Sequence, residues 1–191
     1  AFQHAKTSYF RKGTRDDTLP CEHPSSRLST NKSSATAVVD DEIVAEQFTR
    51  NVQFFGVESQ KKVAEAFVVV IGLGGVGSHC AHMLLRSGVS RLRLVDFDQV
   101  SVSSLNRHAL ATRSDVGTSK AECLKYHFKR IYPEARIDAK VMLYDQSREE
   151  ELLGDSPDFV VDCIDNVETK VDLLAACVRR KIKVLACGGA G

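Results

Sequence analysis

The most informative pattern for chemistry is a run of glycines between an apolar segment and a predicted helix. Gly72, Gly74 and Gly77 fit the spacing G-x-G-x-x-G, directly after the β-branched segment 67–71. Such a turn lets backbone approach a phosphate closely, and the free N–H groups at the start of the next helix attract an anion. Asp96 closes the next predicted strand nineteen residues after Gly77, where an acid would bind ribose hydroxyls. These residues together predict a nucleotide site, without separating NAD from ATP.

Polar residues beyond the second strand favour ATP. Arg107 and Lys120 are cations that would reach a polyphosphate, and Asn106 would donate an amide hydrogen bond to it. Each has an ordinary alternative, since Arg107 fits a surface ion pair and Lys120 a solvated helix start. Asp165 follows the fourth predicted strand, and a carboxylate at this sheet edge suits Mg²⁺. An NAD-dependent dehydrogenase is the alternative that explains the glycine turn but not the charged residues together.

The elements that must position these residues alternate between strand and helix. Segments typical of strands lie at 67–71, 91–96, 137–143, 158–164 and 182–187. Helical periodicity predicts helices at 78–86, 119–131 and 168–181. This alternation predicts an α/β fold, a Rossmann-like and mostly parallel sheet with helices on both faces. Segments 40–55 and 58–65 predict a helical N-terminal extension, in which Ile43, Val44, Phe48 and Val52 share one side.

The two ends of the chain differ from this central part. Residues 1–40 show no strand or helix period and are rich in Ser, Thr, Lys and Arg, so we expect a flexible leader. Its basic residues also fit a transit peptide. The chain ends in a glycine-rich run straight after a predicted strand, and we expect the domain, residues 41–191, to be incomplete at its C-terminal end.

Composition limits the class of protein. The 191 residues are 43% hydrophobic and 27% charged, as in a globular domain. The net charge of +1 does not by itself favour a nucleic-acid partner. A local basic patch is the alternative way in which such a partner would bind. None of the six cysteines forms a CxxC pair, which is typical of reduced thiols inside a cell, and we expect no zinc site. Cys163 is interpreted as a core residue rather than a nucleophile. No apolar run in the sequence is long enough to span a bilayer.

Four motifs resemble a known family: VVVIGLGGVGS, LVDFDQVSVSSLNRH, DVGTSKAE and VVDCIDNVETK. They are similar to the ThiF-type adenylation domains of the ubiquitin-activating-enzyme-like superfamily, over residues 42–191. The phrases RSGVSRLRLVDFDQVSVSSLNRHALAT and KIKVLACGGAG resemble the tRNA threonylcarbamoyladenosine dehydratases, especially the fungal kind. The alternatives are an enzyme that activates the C-terminus of a ubiquitin-like protein and a scaffold that has kept the fold without activity.

The resemblance implies a role for each matching residue. It implies ATP binding by Gly72, Gly74, Gly75, Gly77, Asp96, Ser104, Asn106, Arg107, Lys120 and Asn166. Arg107, Lys120 and Asp165 would act in catalysis, with Asp165 holding Mg²⁺. Arg50 matches an arginine that such enzymes lend across a homodimer interface to the partner's ATP. His108 departs from a frequent glutamine, and a catalytic-type cysteine of the family would lie past Gly191.

The implied reaction is adenylation of a carboxylate. The carboxylate attacks the α-phosphorus of ATP and pyrophosphate leaves, which requires positioning and charge neutralisation. In the dehydratases the carboxylate belongs to a threonylcarbamoyl group on a tRNA adenosine next to the anticodon, whose ureido group then closes a ring and expels AMP. The implied partners are tRNA and a second copy of the chain, or a sulfur-carrier or ubiquitin-like protein under the alternative. The fungal resemblance implies the mitochondrial outer membrane, with the cytosol as the alternative location.

Overall fold

A sheet of five parallel strands forms the centre of the protein. The computed structural model describes residues 42–188, so the predicted leader and the start of the first helix lie outside the described residues. The strands are β1 Phe67–Ile71, β2 Arg91–Val95, β3 Arg136–Lys140, β4 Phe159–Asp162 and β5 Lys183–Ala186. Their order is β3-β2-β1-β4-β5. The order reverses beside β1, and such a switch point opens a crevice at the carboxyl ends of the strands.

Helices cover both faces of the sheet, which confirms the predicted Rossmann-like α/β fold. Residues 42–47 are helical and are labelled α1. The other helices are α2 Thr49–Phe55, α3 Val57–Glu65, α4 Gly75–Arg86, α5 Lys120–Ile131, α6 Glu149–Leu153 and α7 Val167–Arg180. None of the helices between residues 42 and 188 combines the length and apolarity needed to cross a bilayer.

The central strand explains the continuous apolar run of the sequence. Val68 and Val70 belong to a core cluster with side chains of α4 and α5, such as Leu85 and Phe128. The alternate residues of β1 belong to a second cluster on the other face, with Leu173 and other side chains of α6 and α7. Because both faces of β1 are covered, every position favours an apolar residue, as in parallel sheets generally.

Several predicted boundaries are corrected. Helix α4 begins at Gly75, inside the glycine motif, rather than at residue 78. Strand β3 ends at Lys140 because its register partner Val95 is the last residue of β2, so the predicted extension to residue 143 has no strand to pair with. Helix α6 has no counterpart in the prediction, since five residues are too few to show a helical period.

The N-terminal extension is helical but not one continuous helix. A turn at Phe48 separates α1 from α2, and the Phe48 ring is buried against Tyr132 with 5.3 Å between ring centroids. Ile43 is 58% exposed, so it does not share the buried surroundings of Phe48, with which it was predicted to lie on one side. The extension lies at the amino end of the sheet, because Nδ2 of Asn51 donates to the carbonyl of Ser87 at 3.1 Å, in the turn that leads into β2.

Candidate functional site

A cleft of about 790 Å³ opens at the carboxyl ends of the strands. This volume lies within the range of about 300–1,000 Å³ typical of ligand sites. The β1–α4 loop, the ends of β2 and β4, and the start of α5 all contribute side chains. The predicted site residues that line it are Gly72, Gly74, Gly75, Gly77, Asp96, Arg107, Lys120, Asp165 and Asn166. The fold therefore brings together residues that are up to 94 positions apart in the sequence (166 minus 72).

The glycines of the loop answer two different requirements. A Cβ atom at Gly77 would lie 1.7 Å from the carbonyl oxygen of Gly72, so helix α4 could not pack this close to the strand. Gly72 has a φ of +87°, and a Cβ there would lie 2.6 Å from the carbonyl oxygen of Cys163. A Cβ at Gly74 meets nothing within 4 Å. Packing thus requires Gly72 and Gly77, whereas Gly74 faces open space in the cleft, where backbone is accessible to a ligand.

Asp96 joins the end of β2 to this loop. Its two carboxylate oxygens accept hydrogen bonds from the N–H groups of Leu73 at 2.6 Å and Asp98 at 2.7 Å. Burial raises the pKa of Asp96, and the two backbone hydrogen bonds and the charge of Lys120 oppose that rise. The carboxylate is an acceptor at the cleft wall, as binding of ribose hydroxyls requires.

Two cations converge on the cleft from the segment between β2 and α5. Nζ of Lys120 forms an ion pair of 2.8 Å with Asp98, and its side chain is 12% exposed. The aliphatic part of Arg107 lies over the glycine loop, 3.4–3.5 Å from the position of a Cβ at Gly75. Nη1 of Arg107 donates to the carbonyl of Ser103 at 2.7 Å. Both residues thus line the same cleft as the glycine loop, where a phosphate would lie.

Two predicted phosphate contacts lie outside the cleft lining. Ser104 is 4% exposed, and its hydroxyl donates to the carbonyl of Ser101 at 2.7 Å, within a tight turn. A phosphate contact by the Ser104 hydroxyl is therefore not supported, since the turn already uses that group. The side chain of Asn106 is exposed and accepts from Nη1 of Arg107 at 3.2 Å, so its direct contact with phosphate stays a prediction.

The end of β4 holds two carboxylates in different surroundings. Asp162 is fully buried, and Nζ of Lys170 forms an ion pair with it at 2.7 Å. Asp165 is exposed and lines the cleft. Asn166 begins α7, where its side chain accepts from the N–H of Thr169 at 2.9 Å. Asp162 therefore fixes the structure of the strand end, and Asp165 is the carboxylate in this segment that is available to a ligand.

The matched family decides the identity of this domain. Residues 48–191 match the model of the ThiF family. The chain belongs to the ThiF family.

The chain is similar to proteins with two different enzyme names. The chain is 47% identical over 153 residues to a tRNA threonylcarbamoyladenosine dehydratase of Saccharomyces cerevisiae, across 79% of this chain and 34% of that protein. An Escherichia coli molybdopterin-synthase adenylyltransferase is 33% identical over 132 residues, across 69% and 53%. The chain therefore spans about a third of the length of the yeast relative.

A solved ThiF-type structure supports the fold. It is the Escherichia coli tRNA N6-threonylcarbamoyladenosine dehydratase in complex with ATP, which superposes with a TM-score of 0.75 at 31% identity. The match covers 85% of this chain and 63% of that chain.

Sequence reasoning missed part of the cleft of this ThiF domain. Met142 and Leu143 follow β3, and with Phe97 and Ile164 they form an apolar part of the wall. His79 lies on α4, and its Nε2 is 3.2 Å from the carbonyl oxygen of Arg107. The rule that ligands bind beyond the carboxyl ends of parallel strands points to Met142 and Leu143, but the prediction assigned both to β3 itself.

Arg50 lies apart from the cleft of its own chain. It is exposed on α2, next to Asn51, whose side chain binds the turn before β2 at the amino end of the sheet. The cleft lies at the opposite end. Arg50 therefore contributes to an ATP site only if that site belongs to another copy, and this role stays a prediction.

His108 stabilises the ThiF domain only in its neutral form. Nδ1 accepts from the N–H of Ala111 at 3.0 Å, and burial, with the charge of Lys120, lowers the pKa of His108 from 6.5 to about 4. Between pH 6.5 and about pH 4, His108 is protonated in the unfolded chain but neutral in the folded chain. The free energy of unfolding therefore falls as the pH drops through this range. Near pH 5 this loss is about 2 kcal/mol.

Urea unfolding of the wild type and of His108→Gln at about pH 7.5 and pH 5 measures this effect. We expect the glutamine variant to lose about 2 kcal/mol less than the wild type on acidification, because its amide does not titrate. His79→Gln is the matched control, since the His79 ring is exposed. An equal loss in the wild type and His108→Gln would assign the acid sensitivity to other groups.

Proposed function

We propose that this chain is the nucleotide-binding part of an ATP-dependent tRNA threonylcarbamoyladenosine dehydratase. The observation that carries the proposal is the convergence of the glycine loop, Asp96, Arg107, Lys120 and Asp165 on one cleft. An NAD site has no need of two cations and a free carboxylate beside the dinucleotide phosphates, whereas a triphosphate with a metal ion uses all three.

ATP binding follows from the chemistry of the cleft wall. Backbone N–H groups of the glycine loop and the start of α4 bind phosphate oxygens, and Asp96 accepts from the ribose hydroxyls. The apolar wall at Phe97, Met142 and Leu143 lies next to Asp96 and suits the adenine base. Arg107 and Lys120 stabilise the negative charge that develops on the phosphates. Lys120 can serve there because Asp98 holds its ammonium group at the cleft.

The reaction has two balanced steps. A carboxylate oxygen of the threonylcarbamoyl group attacks the α-phosphorus of ATP, the bond to the bridging oxygen breaks, and pyrophosphate leaves with its electron pair. The ureido nitrogen then attacks the activated carbonyl carbon and loses a proton, and AMP leaves. The chain's part in the first step is to hold the phosphates in line and to neutralise their charge.

Asp165 is the proposed magnesium ligand. Its carboxylate is exposed at the cleft wall, and Mg²⁺ favours one or two carboxylates together with substrate phosphates and water. The ion, when bound, neutralises phosphate charge. The side chain of Asn166 accepts from the N–H of Thr169 at the start of α7. This hydrogen bond orders the backbone at Asn166 and so positions its neighbour Asp165.

A homodimer is part of the same proposal. Arg50 is exposed on α2, and the adjoining Phe54, Phe55 and Val57 are 82%, 62% and 65% exposed. Such an apolar group on the surface supports contact with a second copy, which would bring Arg50 to the partner's phosphates. Sedimentation of the full chain tests this point, and a monomer at all concentrations would contradict it.

The proposed location is the mitochondrial outer membrane, which rests on the resemblance to fungal dehydratases. Fractionation of cells that express the full-length protein should recover it with an outer-membrane marker. Recovery with cytosolic markers would contradict this location but leave the proposed reaction untouched.

Activation of a ubiquitin-like protein is the second candidate. The likeness to a molybdopterin-synthase adenylyltransferase favours it. Formation of an adenylate from a carboxylate and ATP is common to both candidates. The substrates separate them: the dehydratase consumes ATP with modified tRNA, whereas the other enzyme requires a protein C-terminus.

The test supplies the full-length protein with ATP, Mg²⁺ and tRNA that carries threonylcarbamoyladenosine. We expect mass spectrometry of the nucleosides to show a product lighter by one water, together with AMP and pyrophosphate.

Arg107→Ala should lower the rate at least tenfold without a matched loss of melting temperature, since Arg107 is exposed. Arg113→Ala, an exposed arginine in the same loop, is the control. Unchanged tRNA, with ATP consumed only when a ubiquitin-like protein is added, would select the second candidate.

A further inference from the structure

A cluster of metal-ligating groups lies outside the cleft. Cys123 and His127 are four residues apart on α5, so their side chains share one face of the helix. Asp115 ends a short 3₁₀ turn that precedes α5 and faces the same point. One ligand atom from each of the three residues lies within 4.8 Å of the other two. Nε2 of His127 is 3.0 Å from Oδ2 of Asp115.

The cluster lies at the junction between α5 and the loop that carries Arg107. This loop is closed at its base, where the N–H of Val100 donates to Thr118 at 2.8 Å and the N–H of Gly117 donates to Val100 at 2.9 Å. Asp115 lies within the loop, whereas Cys123 and His127 belong to the helix. A bond that joins the three residues would therefore fasten the loop to α5.

We propose that Asp115, Cys123 and His127 bind a zinc ion that fixes the Arg107 loop against α5. Thiolate, imidazole and carboxylate ligands together are typical of zinc, which favours four-coordinate sites with Cys, His and Asp. The thiol of Cys123 releases its proton to solvent when the metal–sulfur bond forms. The resulting thiolate and the carboxylate then neutralise the two charges of the ion, and water completes the coordination.

The surroundings of the three residues fit such a site. The N–H and the hydroxyl of Thr112 each donate to Oδ2 of Asp115 at 2.7 Å, which fixes the orientation of the carboxylate as partners behind a metal ligand do. Cys123 is 3% exposed, which limits water around the sulfur. The side chains of Asp115 and His127 are 15% and 16% exposed, so an ion reaches the site from solvent.

A buried histidine lies in the same loop as Asp115. His108 is 7% exposed, and among the described residues its Nε2 is a buried atom without a hydrogen-bond partner. Nδ1 of His108 accepts from the N–H of Ala111, the residue before Thr112, which itself donates to Asp115. Since Nδ1 of His108 accepts a hydrogen bond, Nε2 carries the proton and is a buried donor without a partner among the described residues.

The spacing of the cysteines did not predict this site. Zinc sites are recognisable in a sequence by CxxC pairs, and Cys123 has no second cysteine nearby in the sequence. The third ligand comes from a loop that reaches the helix only in the folded chain. The expectation that this chain has no zinc site is therefore replaced by the present proposal.

Zinc binding tests the proposal without ATP or tRNA, so its failure is separate from failure of the proposed function. The full chain, free of tags and stripped of metal, is dialysed against zinc, and the bound metal is measured by elemental analysis. We expect one tightly bound zinc ion per chain. Cobalt in its place should give a thiolate-to-metal charge-transfer band in the near ultraviolet.

Variants at the ligand positions test the assignment of the ligands. Cys123→Ser and His127→Ala should each weaken zinc binding at least tenfold, and Cys123→Ser should also remove the cobalt band. Cys177→Ser is the matched control, because Cys177 is buried in the cluster on the other face of the sheet. Asp115→Asn, at a partly exposed position, replaces Cys123→Ser if that variant does not fold. Absence of stoichiometric zinc, or equal binding by all variants, would overturn the proposal.

Discussion

Replacing Gly77 with alanine is expected to destabilise the protein by about 3 kcal/mol or more. The added Cβ would lie 1.7 Å from the carbonyl oxygen of Gly72 and 3.2 Å from Cβ of Cys163. The carbonyl belongs to the turn that closes β1, so relief of the overlap must separate α4 from the sheet. Alanine gains about 1 kcal/mol in helix propensity over glycine, which is too little to offset this overlap.

Urea unfolding measures this loss, and Gly74→Ala is its matched control. A Cβ at Gly74 meets no atom within 4 Å, so we expect a stability change of about 1 kcal/mol or less. The same Cβ enters the cleft, and ATP affinity should fall at least tenfold because backbone no longer approaches the phosphate closely. Equal destabilisation by both variants would contradict the distinction between a packing glycine and a ligand-facing glycine.

Replacing Asp165 with alanine is expected to abolish exchange of pyrophosphate into ATP by the full chain. The proposed magnesium ion would lose its protein carboxylate, and the phosphate charge would no longer be neutralised in the cleft. Folding should change by no more than about 0.5 kcal/mol, because Asp165 is exposed. Exchange of labelled pyrophosphate at saturating Mg²⁺, with tRNA that carries threonylcarbamoyladenosine as the source of the carboxylate, gives the activity. Thermal unfolding gives the stability.

The control for Asp165 is Glu168→Gln. Glu168 is another exposed acid, in the first turn of α7, and it does not belong to the cleft lining of the described structure. We expect full exchange activity from this variant. Unchanged exchange in Asp165→Ala would remove the magnesium role, and equal loss in both variants would assign the effect to the general negative charge near the cleft.

Local features of the sequence predicted the nucleotide loop correctly. The run 67–71 is apolar at every position because both faces of β1 are covered, and this pattern is readable without the rest of the chain. Gly77 is required by a local contact with the carbonyl of Gly72, so the glycine spacing indicated a turn between strand and helix, whereas the contact of Gly72 with Cys163 depends on the fold. The alternation of strand and helix then predicted the parallel sheet, because short crossovers allow few topologies.

Features that depend on contacts across the chain were not predictable. The length of β3 depends on where β2 ends, and the unavailability of the Ser104 hydroxyl depends on a turn with Ser101. For the same reason, Met142 and Leu143 line the cleft only because β3 ends before them. The proposed zinc ligands come from a loop (Asp115) and from α5 (Cys123 and His127), and their ligand atoms meet only in the folded chain.

Equilibrium binding of ATP and of NADH to the full chain tests the central claim most directly, which is that the cleft holds a triphosphate. Titration calorimetry with Mg²⁺ present should show one ATP per chain and no measurable binding of NADH. Lys120→Met should weaken ATP binding at least tenfold, because Lys120 is one of the two cations beside the glycine loop. Binding of NADH without binding of ATP would contradict the account.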